Sequence, residues 1–94
     1  MIDAQVTKQV RNPASWMQLP IDDRILESLQ SSGMILSPSV IAKNIDKSRE
    51  AVNRRLSILV EHGLVTRVER GYYEITERGG RYLDGEKNIF EEEF

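Results

Sequence analysis

Apolar residues recur at helical spacing in three successive stretches of the chain, and the period then changes to two. In IDDRILESLQSSG, Ile25, Leu26 and Leu29 fall on one side of a helical wheel, acids Asp22 and Asp23 sit at the electropositive N-terminal end, and Gly33 supplies a stop. The stretch predicts a first helix that begins after Pro20 and closes at Gly33. In MILSPSVIAKNID, Ser37 can cap and Pro38 presets the backbone of a first turn, which predicts a second helix over about residues 38–44 with Val40, Ile41 and Ala42 on its apolar side. Asp46 then tolerates the left-handed backbone of a tight reversal, less easily than glycine. Ser48 can cap a third helix, residues 48–62, which ends at His62 and Gly63.

On the third helix, Val52, Leu56 and Leu59 recur at intervals of four and three and define a core-facing stripe. Glu50, Asn53, Arg54 and Ser57 occupy the opposite arc, and Arg49 and Arg55 flank the boundary. Beyond Gly63, LVTRVERGYYEIT alternates, which predicts a β-hairpin over residues 64–76 turning at Arg70 and Gly71, with Leu64 and Val68 sharing one face and Tyr73 and Ile75 another. Thr76 can cap a last helix in which Tyr82 and Leu83 pack back, while Gly79 and Gly80 weaken it. Asn12 and Pro13 suggest one helical turn presenting Trp16 and Met17, with Trp16 as a packing anchor. This reading divides the chain into a flexible N-terminal segment (1–11), one domain (12–85) and an acidic C-terminal tail (86–94).

Ninety-four residues suit a single domain with one modest core. The absence of cysteine removes disulfides, thiolate metal sites and a cysteine nucleophile, so packing alone must hold the fold. No apolar run is long enough to cross a bilayer, and the first residues lack the pattern of a secretory signal, so a cytoplasmic location and no membrane partner are expected. The formal charge is −2, but it is unevenly spread. Residues 1–42 hold three cations and four acids, residues 43–70 seven and four, and residues 71–94 three and seven. The basic excess therefore sits on the second and third helices and the hairpin, where a local positive potential can face a polyanion even though the whole chain is acidic.

A helix-turn-helix requires its two helices to approach closely, which calls for a small residue in the first and a β-branched residue on the inner face of the second. Ala42 and Val52, ten residues apart, fill those roles, and Asp46 stands where glycine is commonest. The hairpin that follows makes the fold class mainly α with a small β-hairpin, a winged helix-turn-helix. In their order, the strings WMQLPIDDRILE, SPSVIAKNIDKSREAVNRRL and GLVTRVERGYYEITERGGRYLDGE resemble the small winged-helix regulators of haloarchaea related to the phage phi-H repressor. The resemblance spans residues 12–86, and is more distant to MarR-like and ArsR-like winged domains. It implies a DNA-binding transcriptional regulator, expected to act as a repressor.

In such a fold the third helix enters the major groove, where its early residues reach base edges while flanking cations and hydroxyls hold phosphates. Arg49 and Arg54 are the candidates for bases or phosphates and Asn53 for an adenine edge, while Glu50 can accept from cytosine but is better suited to holding Arg54 one turn away. Ser37, Ser39, Lys43, Lys47, Ser48 and Arg55 are candidates for the backbone, and Arg67, Arg70 and Tyr72 for the wing. The expected partner is double-stranded DNA, read by a homodimer whose contact surface draws on Trp16, Ile89, Phe90 and Phe94. No cofactor, metal or small-molecule ligand is inferred. An enzyme is not expected, because the single histidine, His62, sits where it complements a helix C-terminus and the carboxylates form no paired site. The rival reading is a winged helix that binds protein, which gains if acids interrupt the face carrying Lys47, Arg49, Arg54 and Arg70.

Overall fold

The computed structural model describes residues 10–92. Its elements follow the order α1 (Ile21–Ser32), α2 (Pro38–Ile45), α3 (Arg49–Glu61), β1 (Val65–Glu69), β2 (Tyr72–Ile75) and α4 (Glu77–Leu83), and a 3-10 turn spans Phe90–Glu92. The helix ends lie where the side chains allow the terminal backbone groups to be satisfied. Gly33 adopts φ 64° and closes α1 by donating its N–H to the Leu29 carbonyl. Ser37 and Ser48 cap α2 and α3 by accepting the N–H groups of Val40 (3.3 Å) and Ala51 (3.1 Å). Thr76 accepts the Gly79 N–H at 3.0 Å and donates its own hydroxyl to the Gly63 carbonyl at 2.7 Å, so one side chain both starts α4 and ties it to the end of α3.

The apolar stripes meet in one core. Ile25, Leu26 and Leu29 of α1, Ile41 and Ala42 of α2, Val52, Leu56 and Leu59 of α3, and Tyr82 and Leu83 of α4 are all buried there. Ala42 and Val52 are therefore both interior, as the close approach of α2 to α3 requires. Val40 departs from the expected apolar side of α2 and is 45% exposed.

The hairpin pairs Val65 with Ile75, Thr66 with Glu74, Arg67 with Tyr73 and Glu69 with Tyr72, so Val68 is an extra residue on β1 and forms a bulge. Leu64 and Val68 were expected on one face of the first strand. Instead Leu64 still belongs to the end of α3, its N–H bonded to the Leu59 carbonyl; Leu64 and Val65 are buried together, and the bulge leaves Val68 exposed. A third strand position is present that alternation does not reveal. Leu36 and Tyr73 exchange both backbone hydrogen bonds, at 2.8 and 2.9 Å, and so fasten the second strand, two residues past the turn, to the entry of α2.

Both flanks of the domain differ from expectation. Residues 12–17 form no helix; the segment makes one turn, Met17 N–H to Ala14 carbonyl, because so short a stretch gains too few bonds to offset nucleation and Asn12 instead donates its amide across the fold to the Gly85 carbonyl. Arg11, read as part of the flexible segment, is held by Glu27 (2.6 Å), Asp23 (3.3 Å) and the Leu83 carbonyl (3.0 Å). Residues 1–9 lie outside the described residues. In the expected tail, Ile89 is 3% exposed and Phe90 packs edge-on to Trp16 and tilted against Tyr82, both at 5.8 Å between ring centroids. These side chains cover the domain's own core. Phe94, the other tail residue expected at a dimer surface, is outside the described residues.

Candidate nucleic-acid interface

The turn between α2 and α3 is three residues long, and its geometry follows from Asp46. With φ 61° and ψ 48° this residue is left-handed, and the Ala42 carbonyl accepts both its N–H and that of Lys47, the latter at 3.0 Å. The chain thereby reverses without a glycine and delivers Ser48 in an extended conformation, ready to cap α3.

At about 100° per residue, the exposed positions of α3 run in angular order Arg49, Asn53, Ser57, Glu50, Glu61 and Arg54, an arc of about 140°. Val52, Leu56 and Leu59 hold the opposite side against the core, so the exposed arc is presented by a helix that cannot roll freely. Arg49 and Arg54 mark the edges of the arc, with Asn53 between them and near the N-terminal end. Glu50 and Arg54 do not pair with each other, and neither Arg49 nor Arg54 forms an ion pair among the described residues. A guanidinium left without a carboxylate on an open helix face remains available to a phosphate or to the acceptor edge of a guanine.

The other candidates divide by how free their side chains are. Ser39 and Lys43 on α2 and Lys47 in the turn are exposed, and so is Ser48, although its hydroxyl accepts the Ala51 N–H as the cap of α3. Ser37 is partly buried and its hydroxyl is committed to the cap. Arg70 and Tyr72 are exposed at the hairpin tip, where Gly71 adopts φ 83°. Arg67 is exposed, yet its guanidinium donates to the Tyr73 hydroxyl at 3.1 and 3.3 Å, which holds it along the strand. Lys47, Arg49, Arg54 and Arg70 are all open to solvent, and exposed acids share their elements: Asp46 in the turn, Glu50 and Glu61 on α3 and Glu69 on β1.

Arg55 is corrected: it is not on the interface. The residue is 7% exposed and its guanidinium forms a two-pronged bond with the fully buried Asp22 of α1, Nε to Oδ1 at 2.8 Å and a terminal nitrogen to Oδ2 at 2.9 Å. Asp22 Oδ2 also accepts the Gln18 N–H at 2.9 Å, and Arg55 reaches the Trp16 carbonyl at 3.4 Å. Hydrogen bonding to Asp22 outweighs burial and raises the Arg55 pKa. The wheel placed Arg55 on the boundary, and the carboxylate that draws it inward lies 33 residues away, beyond any local pattern. Asp22 itself reads in sequence as an acid suited to a helix start, a role many exposed acids fill, so nothing marked it as buried.

Behind the far end of α3, the Trp16 ring lies flat on His62, with centroids 3.8 Å apart and planes 11° from parallel. Trp16 thus backs the helix twice, through its carbonyl at Arg55 and through its ring at His62. No cluster of three or more histidine, cysteine or acidic residues able to hold a metal occurs among the described residues. No helix among them is long and apolar enough to cross a membrane.

Comparison with known proteins agrees with this fold. The family described as "Winged helix-turn-helix phage repressor" matches residues 10–93. The chain is similar to the repressor protein of Halobacterium phage phiH, 36% identical over 78 residues that span 79% of this chain and 86% of that protein. It is also similar to the crystal structure of the PhiH1 repressor-like protein from Haloarcula marismortui, with a TM-score of 0.76 and 36% identity over 85% of this chain and 91% of that one. The four helices, the buried Ala42 and Val52 on adjoining helices, the bulged hairpin and these matches together place the chain in the winged helix-turn-helix phage repressor family.

Proposed function

We propose that the chain is a sequence-specific DNA-binding transcriptional repressor that inserts the N-terminal half of α3 into the major groove and sets the β1–β2 hairpin against the flanking backbone as a wing. The observation that carries this reading is the exposed arc of α3, where Arg49, Asn53 and Arg54 have no carboxylate partner among the described residues and the helix is held from behind. Arg49 and Arg54 are suited to guanine or phosphate, and Asn53 to the paired acceptor and donor of adenine. Lys43, Lys47, Ser39 and Ser48 are suited to phosphates on one side, Arg70 and Tyr72 on the other. Glu50 limits which bases are accepted, since a carboxylate in the groove favours the amino group of cytosine.

One recognition helix contacts few base pairs, so the repressor acts as a homodimer on two half-sites about 34 Å apart. Excess positive charge on residues 43–70 supplies the salt-sensitive part of the affinity, and the helix supplies the sequence-dependent part.

The test is a mobility-shift titration against the DNA upstream of the protein's own coding region, at two salt concentrations, with footprinting of the bound fragment. Protection of two symmetric sites and an affinity that falls as salt rises are expected. Absence of a shift at either salt concentration defeats the reading and favours the alternative, a winged helix whose α3 meets a protein partner.

A further inference from the structure

Arg55 and Asp22 offer a ligand almost no exposed surface, and a gain in stability is a poor account of a buried ion pair. Taking two charges out of water costs several kcal/mol per ion, and a well-packed apolar pair of the same size serves stability as well or better. What an apolar pair cannot supply is direction. Aliphatic contacts along Val52, Leu56 and Leu59 limit the roll of α3 by packing but are not directional, whereas a guanidinium held at two nitrogens by one carboxylate admits a single orientation. The carboxylate is itself fixed, by the Gln18 N–H at 2.9 Å and by its place in the first turn of α1. The link therefore runs from Asp22 on α1 to Arg55, the residue next to Arg54 on α3.

The geometry points to Asp22 and Arg55 as positioning residues for operator selectivity: together they set the rotation of α3 about its own axis and so aim Arg54 and Asn53. This inference rests on the DNA-binding role proposed above. Its scale follows from the helix. A roll of about 20° displaces groups at a radius of about 6 Å by about 2 Å, which is far more than a hydrogen bond to a base edge tolerates. Contact with phosphates survives such a displacement, because long flexible cations can follow it. Selectivity is thus the property at risk, and general affinity for DNA is not.

The double variant Asp22→Asn, Arg55→Met isolates the effect. Asparagine keeps an acceptor for the Gln18 N–H, methionine keeps the apolar stem, and the removal of one charge of each sign leaves the net charge unaltered. Wild-type protein is first used to select a binding sequence from a randomised duplex library. Affinities of both proteins are then measured for that duplex and for a scrambled duplex, at a temperature where urea titration shows both proteins fully folded. The variant is expected to lose at least tenfold in affinity for the selected duplex and less than twofold for the scrambled one. Equal selectivity in variant and wild type overturns the positioning role while leaving the DNA-binding reading intact. A wild-type selection that enriches no sequence overturns the DNA-binding reading, and this inference with it. The single variant Arg55→Lys, which keeps the charge and loses the fork, is expected to resemble the double variant in selectivity; full selectivity with lysine shows that charge alone suffices and also overturns the proposal.

Discussion

Gly79 and Gly80 are adjacent in α4, and alanine at each is expected to change stability in opposite directions. In a helix interior alanine is favoured over glycine by about 1 kcal/mol. At Gly80 nothing opposes that preference, since a Cβ meets only the end of the Gln30 side chain, at 3.4 Å. Gly80→Ala should therefore stabilise by about 0.5–1 kcal/mol. At Gly79 a Cβ falls onto the Leu64 carbonyl oxygen and within 2.7 Å of Ile75 Cγ1. The oxygen cannot simply retreat, because it accepts the Thr76 N–H at 3.1 Å, the bond that joins the end of β2 to the end of α3. Overpacking of this kind costs about 1–3 kcal/mol, and a weakened buried hydrogen bond adds about 1 kcal/mol. Set against the helical preference, Gly79→Ala should destabilise by about 1–3 kcal/mol. The difference between the two variants is then about 1.5–4 kcal/mol, or some 6–32 °C in melting temperature for a domain of this size. Urea titrations followed by far-ultraviolet circular dichroism, with equal slopes for all three proteins, measure it directly. A Gly79→Ala protein as stable as the wild type would falsify the close approach of α4 to the end of α3.

Other changes probe the interface, the reversal and the buried tyrosine. Arg54→Ala should weaken binding to the selected duplex by about 1–3 kcal/mol, and an unchanged titration removes Arg54 from the interface. Asp46→Gly should stabilise by a few tenths to about 1 kcal/mol, relief of a left-handed aspartate being partly offset by the greater freedom of glycine in the unfolded chain; a lower urea midpoint contradicts this account of the turn. Burial, followed by a hydrogen bond to Asp23 at 2.7 Å and that residue's charge, raises the Tyr82 pKa far above the ordinary phenol range. The folded state therefore keeps the proton that the unfolded state releases from about pH 10, and stability should fall above that pH by about 1.4 kcal/mol per unit. Tyr82→Phe removes this contribution, so its stability should decline less steeply between pH 9 and 11; parallel curves for the two proteins show that the phenol does not titrate differently on unfolding.

The features legible in the sequence are those governed by residues close together along the chain. Ser37, Ser48 and Thr76 announce caps because capping acts over three residues, and Gly33 and Asp46 announce stops because the left-handed region is open to few side chains. Ala42 and Val52 identify the helix pair because the contact they serve recurs at fixed spacing. Arg55 was illegible for the opposite reason: whether a boundary arginine turns out to solvent or inward depends on a carboxylate brought near only by the packing of α1. Gly79 read as a weakness of α4, whereas its missing side chain is what lets the helix seat against Leu64 and Ile75. Leu36 occupies a strand one residue long, too short to carry a period. Ile89 and Phe90 read as candidates for a partner because an apolar pair in an acidic segment looks unsatisfied until Trp16 and Tyr82 are placed beside it. For the interface, the exposed arc of α3 followed from its wheel, and the support behind it did not.

The two hydrogen bonds between Leu36 and Tyr73 have a mechanical consequence. They anchor the hairpin two residues from its turn, so the free arm beyond them extends only some 7–10 Å at about 3.3 Å per residue. Between Val68 and Tyr72 every side chain is exposed, and residues added there lengthen the arm without touching the anchorage or the core. Arm length is consequently an adjustable dimension of this scaffold, open to change by insertion at a single exposed loop while the orientation of α3 stays as it is.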